Sequence, residues 1–233
     1  MTASYPSLPE IAPVPQEVPY VPPITPNFLD YVVFSDEHLV VVNKLSGLLS
    51  VPGMGAEKLD CALTRLAPHF GELHIVHRLD MATSGLLVFA RSKAALKHLH
   101  AQFREGTVDK VYEAIVAGKP SPARQTIDAP IGRDWDRRPL QKIDFQAGKP
   151  SITLLSVMHA EPSMNATRVE LAPQTGRTHQ LRLHMRHIGH SILGDDWYGD
   201  KNSAPRLLLH AKRLSLVHPA TGERLTFESP PKY

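Results

Sequence analysis

The 233-residue chain has one cysteine, Cys61. A single thiol cannot form an internal disulfide or build a multi-cysteine zinc site. That usage fits a reducing compartment, and a cytoplasmic protein is expected. Long apolar runs are missing too. The longest, such as 39–42 and 85–90, fall far short of the ~20 residues of a spanning helix. No membrane partner is expected. Charge of one sign is not in large excess, since 26 Lys and Arg face 23 Asp and Glu, for a formal net charge of +3. That balance permits nucleic-acid binding without arguing for it. The sequence does not open with a basic-then-apolar leader. With 42% hydrophobic and 21% charged residues, it reads as a globular chain.

What opens the chain is proline. Residues 1–27 hold eight of the 21 prolines. Such a stretch cannot donate regular backbone hydrogen bonds, so 1–27 is expected to be an extended or disordered arm. A ligand for a proline-recognising domain is the alternative. A single catalytic domain is expected over 28–233. Its strands are read at 39–42, 86–90, 110–117, 152–157 and 167–171, with a hairpin over 206–217 and 223–228. Asp60 is expected to cap a short helix that ends before Pro68. Ser92 is expected to cap a helix over 92–104, with Leu96, Leu99 and Phe103 on one face and Gly106 as its stop. A third helix is expected over 175–188. Strands follow one another with few crossover helices. The fold class is therefore α+β, with a mainly antiparallel mixed sheet and flanking helices.

Three segments carry chemistry. The first is His77-Arg78-Leu79-Asp80-Met81-Ala82-Thr83-Ser84-Gly85, just before a strand. The Asp80 carboxylate could act as nucleophile, general base or metal ligand, or only cap a turn. The string resembles the kinase catalytic loop, but Leu and Asp are inverted, and the Gly-rich loop and Asp-Phe-Gly triplet are absent. The second segment is Lys110-Val111-Tyr112. Tyr112 can stack on a base and move a proton, or be an ordinary strand tyrosine. The third runs from Thr175 to Arg186. No acidic residue lies between Thr175 and Gly194, so Arg177 is read as able to meet a carboxylate from elsewhere. Arg177, Arg182 and Arg186, with His179, His184, His187 and His190, read as a basic stripe for phosphates or as a solvated helix face. The histidines lack metal-ligand spacing, and no metal is expected. Residues 133–142, with Trp135 among charges, read as an RNA-contacting loop or a solvated charge run.

Together the three segments resemble the RluA family of pseudouridine synthases. The His-Arg-Leu-Asp string followed by Thr-Ser-Gly spans 77–85, Lys-x-Tyr stands at 110–112, and Gly-Arg-Thr-His-Gln-Leu-Arg at 176–182. The resemblance continues through 189–195 and 207–211. It implies a pseudouridine synthase fold with a central RNA-binding cleft. It implies that Asp80 is the catalytic aspartate, that Tyr112 stacks on the target uracil, and that Arg177 ion-pairs with Asp80. It also implies that Arg78 helps displace the target nucleotide. Thr178, His179 and Arg182 are carried over as substrate contacts. Isomerising uridine neither gains nor loses atoms, so no cofactor is expected. The absence of an S4-type domain, with the strings at 50–53 and 81–85, resembles the dual-specificity branch. That branch acts on 23S ribosomal RNA and the tRNA anticodon stem-loop. The expected partner is RNA of these kinds, and the expected state is a monomer. A synthase for another tRNA site and a non-catalytic RNA-binding protein are the alternatives. A glycosidase would need a second catalytic acid, which 77–85 does not supply.

Overall fold

Apolar strands and capped helices alternate first, and a run of strands follows. The computed structural model describes residues 19–233. They divide into two compact units, 19–111 with 210–233 and 112–209. In chain order the first unit carries β1 (Val32–Ser35), β2 (Leu39–Lys44), α1 (Ala62–Phe70), β3 (His74–Ile75), β4 (Ser84–Ala90) and α2 (Lys93–Glu105). The strand β5 (Asp109–Ala117) leads into the second unit. There follow β6 (Arg124–Asp128), β7 (Ile131–Arg133), β8 (Gln141–Ile143), β9 (Ile152–Glu161), β10 (Ala166–Pro173) and α3 (Gln180–His187). The chain returns through β11 (Leu209–Val217) and closes with β12 (Arg224–Glu228).

In the first unit, β1, β2, β4, β11 and β12 are neighbours in that order, with β3 also on β4. All these pairings are antiparallel except β4 with β11. The sheet is therefore mixed, and the α+β class holds. Every residue of β4 is buried, which is why its sequence is a continuous apolar run rather than an alternating one. Leu39, Val41, Leu86 and Val88 pack with Ala95 and Leu99 of α2 and with Leu214 and Leu216 of β11. The Ser92 hydroxyl accepts from the Ala95 amide at 3.1 Å, and Gly106 ends α2 in the left-handed region. Gly85 has a specific reason to be glycine. Its φ is +111°, and a Cβ there would lie 2.4 Å from the Ala211 carbonyl on β11.

The first helix differs from expectation. Its N-cap is Cys61, not Asp60, and it runs through Pro68. The Cys61 sulfur accepts from the Thr64 amide, and the Thr64 hydroxyl accepts from the Cys61 amide. Asp60 instead forms a two-point ion pair with Arg65, both at 2.7 Å. The described end of the proline-rich stretch is also bound to this unit. The Tyr20 hydroxyl donates to the Asp60 carbonyl and accepts from the Leu49 amide, and Arg65 donates to the Pro23 carbonyl. The rest of the expected arm, 1–18, lies outside the described residues.

In the second unit, β5, β10, β9 and β6 are antiparallel neighbours. Glu113 of β5 and Glu161 of β9 both meet Arg168 of β10. The hairpin β7–β8 falls in a Pro- and Gly-rich region where alternation gave no signal. The third helix starts at Gln180, five residues later than expected. The Gln180 side chain accepts from the Arg177 amide and the Thr175 hydroxyl, which binds the preceding residues into a turn. His179 then enters the helix at a φ of +55°.

Candidate active site

The loop at 77–85 is fastened at its start. The His77 ring stacks on Phe103 at 4.8 Å, and its Nε2 accepts from the Val88 amide at 3.2 Å. Burial, reinforced by the Lys110 charge, pushes its pKa down to about 3. His77 is thus a neutral imidazole and a fixed acceptor. Burial also lowers the pKa of Lys110.

The next turn is clamped by the segment after β2. The Leu79 amide donates to the Ser50 hydroxyl at 3.1 Å, and that hydroxyl donates to the Leu79 carbonyl at 2.8 Å. The Met81 carbonyl accepts from the Gly47 amide at 2.9 Å and from Lys44 Nζ at 3.1 Å. The Ser46 hydroxyl donates to the Ala82 carbonyl at 2.7 Å. The Asp80 carbonyl accepts from the Thr83 amide at 3.1 Å and closes the turn. Both neighbours of Asp80 are therefore held by residues 44–50, while the Asp80 side chain is half-buried and Arg78 is exposed. A fixed backbone below a partly accessible carboxylate is the arrangement a reacting group requires.

Lys44 itself is fully buried. Its ammonium also donates to the carbonyls of Leu45 at 2.8 Å and Leu48 at 2.7 Å. Burial pushes its pKa down to about 7, and the Asp80 charge works in the opposite direction. Sequence reading missed this residue. The available signal was a lysine closing a strand whose first four residues are apolar.

The other expected site residues belong to the second unit. Tyr112 is half-buried on β5, opposite Leu171 of β10. Arg177 is exposed in the turn before α3. Its amide is pinned by Gln180, and its Nε donates to the Pro150 carbonyl at 3.2 Å. Thr178 is exposed beside it. His179 is buried, with Nδ1 at 2.8 Å from the Tyr198 hydroxyl.

The basic stripe expected along the third helix is not a surface. Arg182 is 2% exposed. It donates to both oxygens of Asp195, at 2.8 and 2.6 Å, and to Asp196 at 2.9 Å. Arg186 is buried and donates to the Tyr198 carbonyl. His184 is buried between Thr153 and the Ala129 carbonyl. The main partner of Arg182, Asp195, lies just past the acid-free stretch 175–194. Arg182 holds α3 in place and is not presented to phosphate. Basic side chains are instead presented by the β7–β8 hairpin. Exposed Trp135 has the Arg138 guanidinium 4.3 Å and the Arg133 guanidinium 5.4 Å from its ring centroid. Among the described residues no group of three or more His, Cys, Asp or Glu could hold a metal ion, and no helix is long and apolar enough to cross a membrane.

Solved structures with a similar fold include two human proteins described by an RNA pseudouridylate synthase domain. Human RNA Pseudouridylate Synthase Domain Containing 1 matches with a TM-score of 0.73 and 31% identity, over 86% of this chain and 82% of its own. Human RNA Pseudouridylate Synthase Domain Containing 4 matches with a TM-score of 0.71 and 27% identity, over 87% and 89%. The RNA pseudouridylate synthase family model matches residues 38–187. The chain belongs to the RNA pseudouridylate synthase family. It is 48% identical to the dual-specificity RNA pseudouridine synthase RluA of Haemophilus influenzae, over 91% of this chain and 97% of that protein. It is 47% identical to the protein of the same description from Escherichia coli K12, over 91% and 96%.

Proposed function

We propose that the enzyme converts one uridine in 23S ribosomal RNA and one in the tRNA anticodon stem-loop to pseudouridine, with Asp80 as the catalytic carboxylate. The observation that carries this reading is the clamp of 44–50 on both neighbours of Asp80, in a chain whose relatives are described as dual-specificity synthases. In the reaction the N1–C1′ bond breaks, the uracil turns and C5–C1′ forms. The C5 proton leaves to solvent and N1 takes one up, so the atoms balance without a cofactor. The ionised carboxylate attacks C1′, assists departure of uracil, or adds to C6. Tyr112 stacks on the uracil, and Arg177 ion-pairs with Asp80. Arg78 and Thr178 contact the displaced nucleotide. His179 supports their turn from within through Tyr198. Trp135 and its two arginines add contacts to RNA outside the target nucleotide. Flipping the target costs a few kcal/mol, which base stacking offsets. The enzyme works as a cytoplasmic monomer.

The test is tritium release from RNA labelled at uracil C5, with an anticodon stem-loop and 23S ribosomal RNA fragments assayed side by side. Release from both supports dual specificity. Release from one alone narrows the substrate. Binding without release from either contradicts the reading.

A further inference from the structure

The segment that clamps the Asp80 loop is itself held from outside, by the described end of the proline-rich stretch. The half-buried Tyr20 accepts from the Leu49 amide at 3.1 Å and donates to the Asp60 carbonyl at 2.8 Å. Burial raises its pKa above the usual tyrosine value, so the hydroxyl keeps its proton and can do both. Leu49 is gripped on its other side as well. Its carbonyl accepts from the amide of Ala62, the first residue of α1, at 2.8 Å. The next residue is Ser50, whose hydroxyl makes both contacts to Leu79, and the residue after Leu79 is Asp80. A serine side chain is short, so its hydroxyl meets Leu79 only where the backbone at 49–50 puts it.

The stretch is laid down firmly at this point. Arg65 donates to the Pro23 carbonyl at 2.9 Å and to the Thr25 hydroxyl at 3.2 Å, while its two-point pair with Asp60 fixes the guanidinium. Pro22 and Pro23 have their φ fixed by their rings, which lowers the entropy lost on ordering the stretch. Pro23 also lies against Gly47, where its Cδ is 3.9 Å from the place a Cβ would take. The Gly47 amide is the one that holds the Met81 carbonyl. The stretch therefore touches the clamp at Gly47 and at Leu49. The first bonds the residue after Asp80, and the second directly precedes the serine that bonds the residue before it.

We propose that Tyr20 is a positioning residue for the isomerisation: its hydroxyl splints Leu49 against α1, and so keeps the Ser50 hydroxyl on Leu79 and the Asp80 loop in its reacting position. This inference rests on the reading of Asp80 as the reacting carboxylate, and amide exchange separates the two. Tyr20→Phe keeps the ring and its packing and removes only the hydroxyl. Thr25→Val loosens the same stretch at a point away from the clamp. Folding of each full-length variant is checked by circular dichroism and melting.

In tritium release, Tyr20→Phe is expected to lose ~10-fold in kcat, part of the ~10²-fold that misplacing a reacting group by about an ångström costs. KM for the RNA should stay near wild type, and Thr25→Val should turn over as wild type does. The sharper comparison is with Ser50→Ala. Substitutions that act through one contact are not additive, so Tyr20→Phe added to Ser50→Ala should change kcat by no more than ~2-fold. A folded Tyr20→Phe with wild-type kcat would overturn the proposal. So would a further ~10-fold loss on top of Ser50→Ala, which would mean that the two act independently.

A second measurement uses no RNA. The Leu79 amide donates to Ser50, so its hydrogen exchange under native conditions should be roughly fivefold or more faster in Tyr20→Phe, as expected when one hydrogen bond is loosened locally. The Ala95 amide, bonded to the Ser92 cap of α2, should exchange as in wild type. Unchanged exchange at Leu79 would overturn the proposal. Absence of tritium release by wild type would instead count against the functional reading, and exchange alone would then decide whether Tyr20 braces the loop.

Discussion

Lys44 in the first unit and Arg182 in the second are both buried cations, and their charges are met in different ways. Arg182 has two carboxylate partners, Asp195 and Asp196, with two-point geometry on the first. Burial opposes ionisation of Asp195, but the Arg182 hydrogen bonds and charge outweigh it and hold its pKa below the usual range. Lys44 donates to carbonyls alone and has its pKa pushed down by burial. The first arrangement is self-contained and serves the fold of the second unit. The second joins the turn after β2 to the loop that carries Asp80. The same distinction separates the two neighbouring expectations for the arginine-rich segment. Arg177, in the turn, is exposed, whereas Arg182, inside the helix, is committed to carboxylates.

The largest stability effect should come from splitting the self-contained pair. Asp195→Asn leaves the guanidinium short of charge, and breaking a buried pair costs ~3–5 kcal/mol. Urea unfolding would measure it. Replacing both partners together, as Arg182→Met with Asp195→Leu, should cost much less. If the double replacement is as damaging as the single one, Arg182 does more than balance charge.

The Lys44 region should respond to pH in the same sense as the Asp195 pair, but in a higher range. Its folded pKa, about 7, lies below the ordinary lysine value. Between the two, the unfolded chain binds a proton that the folded chain lacks, so this residue makes stability rise with pH. Lys44→Met should remove that part of the slope when unfolding midpoints are followed from neutral to alkaline pH. An unchanged slope would remove the contrast with Arg182.

Smaller effects are expected from the hydroxyl side of the clamp. Ser50→Ala deletes both contacts to Leu79 and leaves a buried amide and carbonyl without that partner, which costs ~1–3 kcal/mol. It should lower kcat more than a helix-cap variant of equal stability. Cys61→Ala serves as that comparison. It removes the cap of α1 at a cost of ~1 kcal/mol and should leave turnover per folded molecule unchanged.

Much of this was legible in the sequence, and what was not has physical reasons. The second helix declared itself through Ser92, a three-and-four apolar spacing and Gly106, because each signal is local. The strands of the β9–β10 pair were read at 152–157 and 167–171, and the β11–β12 hairpin over 206–217 and 223–228. The cap of α1 was missed because a cysteine rarely takes that role, and Asp60 beside it offered the usual chemistry. The start of α3 was misplaced because a side chain, Gln180, competes for the amide and hydroxyl just before it. Asp80 stood out as a motif, but its clamp did not. The partners at Lys44, Ser46 and Ser50 lie some 30 positions upstream, and most of their bonds go to carbonyls that no sequence pattern marks.

The central claim is that a carboxylate fixed by residues 44–50 carries out pseudouridine formation. It is tested most directly by comparing wild type with Asp80→Asn in tritium release from RNA labelled at uracil C5, after matching the two proteins for RNA affinity and melting temperature. The account predicts stoichiometric release by wild type and a loss of ~10⁴-fold or more in the variant, as when a reacting group is removed from other enzymes. Turnover by Asp80→Asn at a rate near wild type would contradict it.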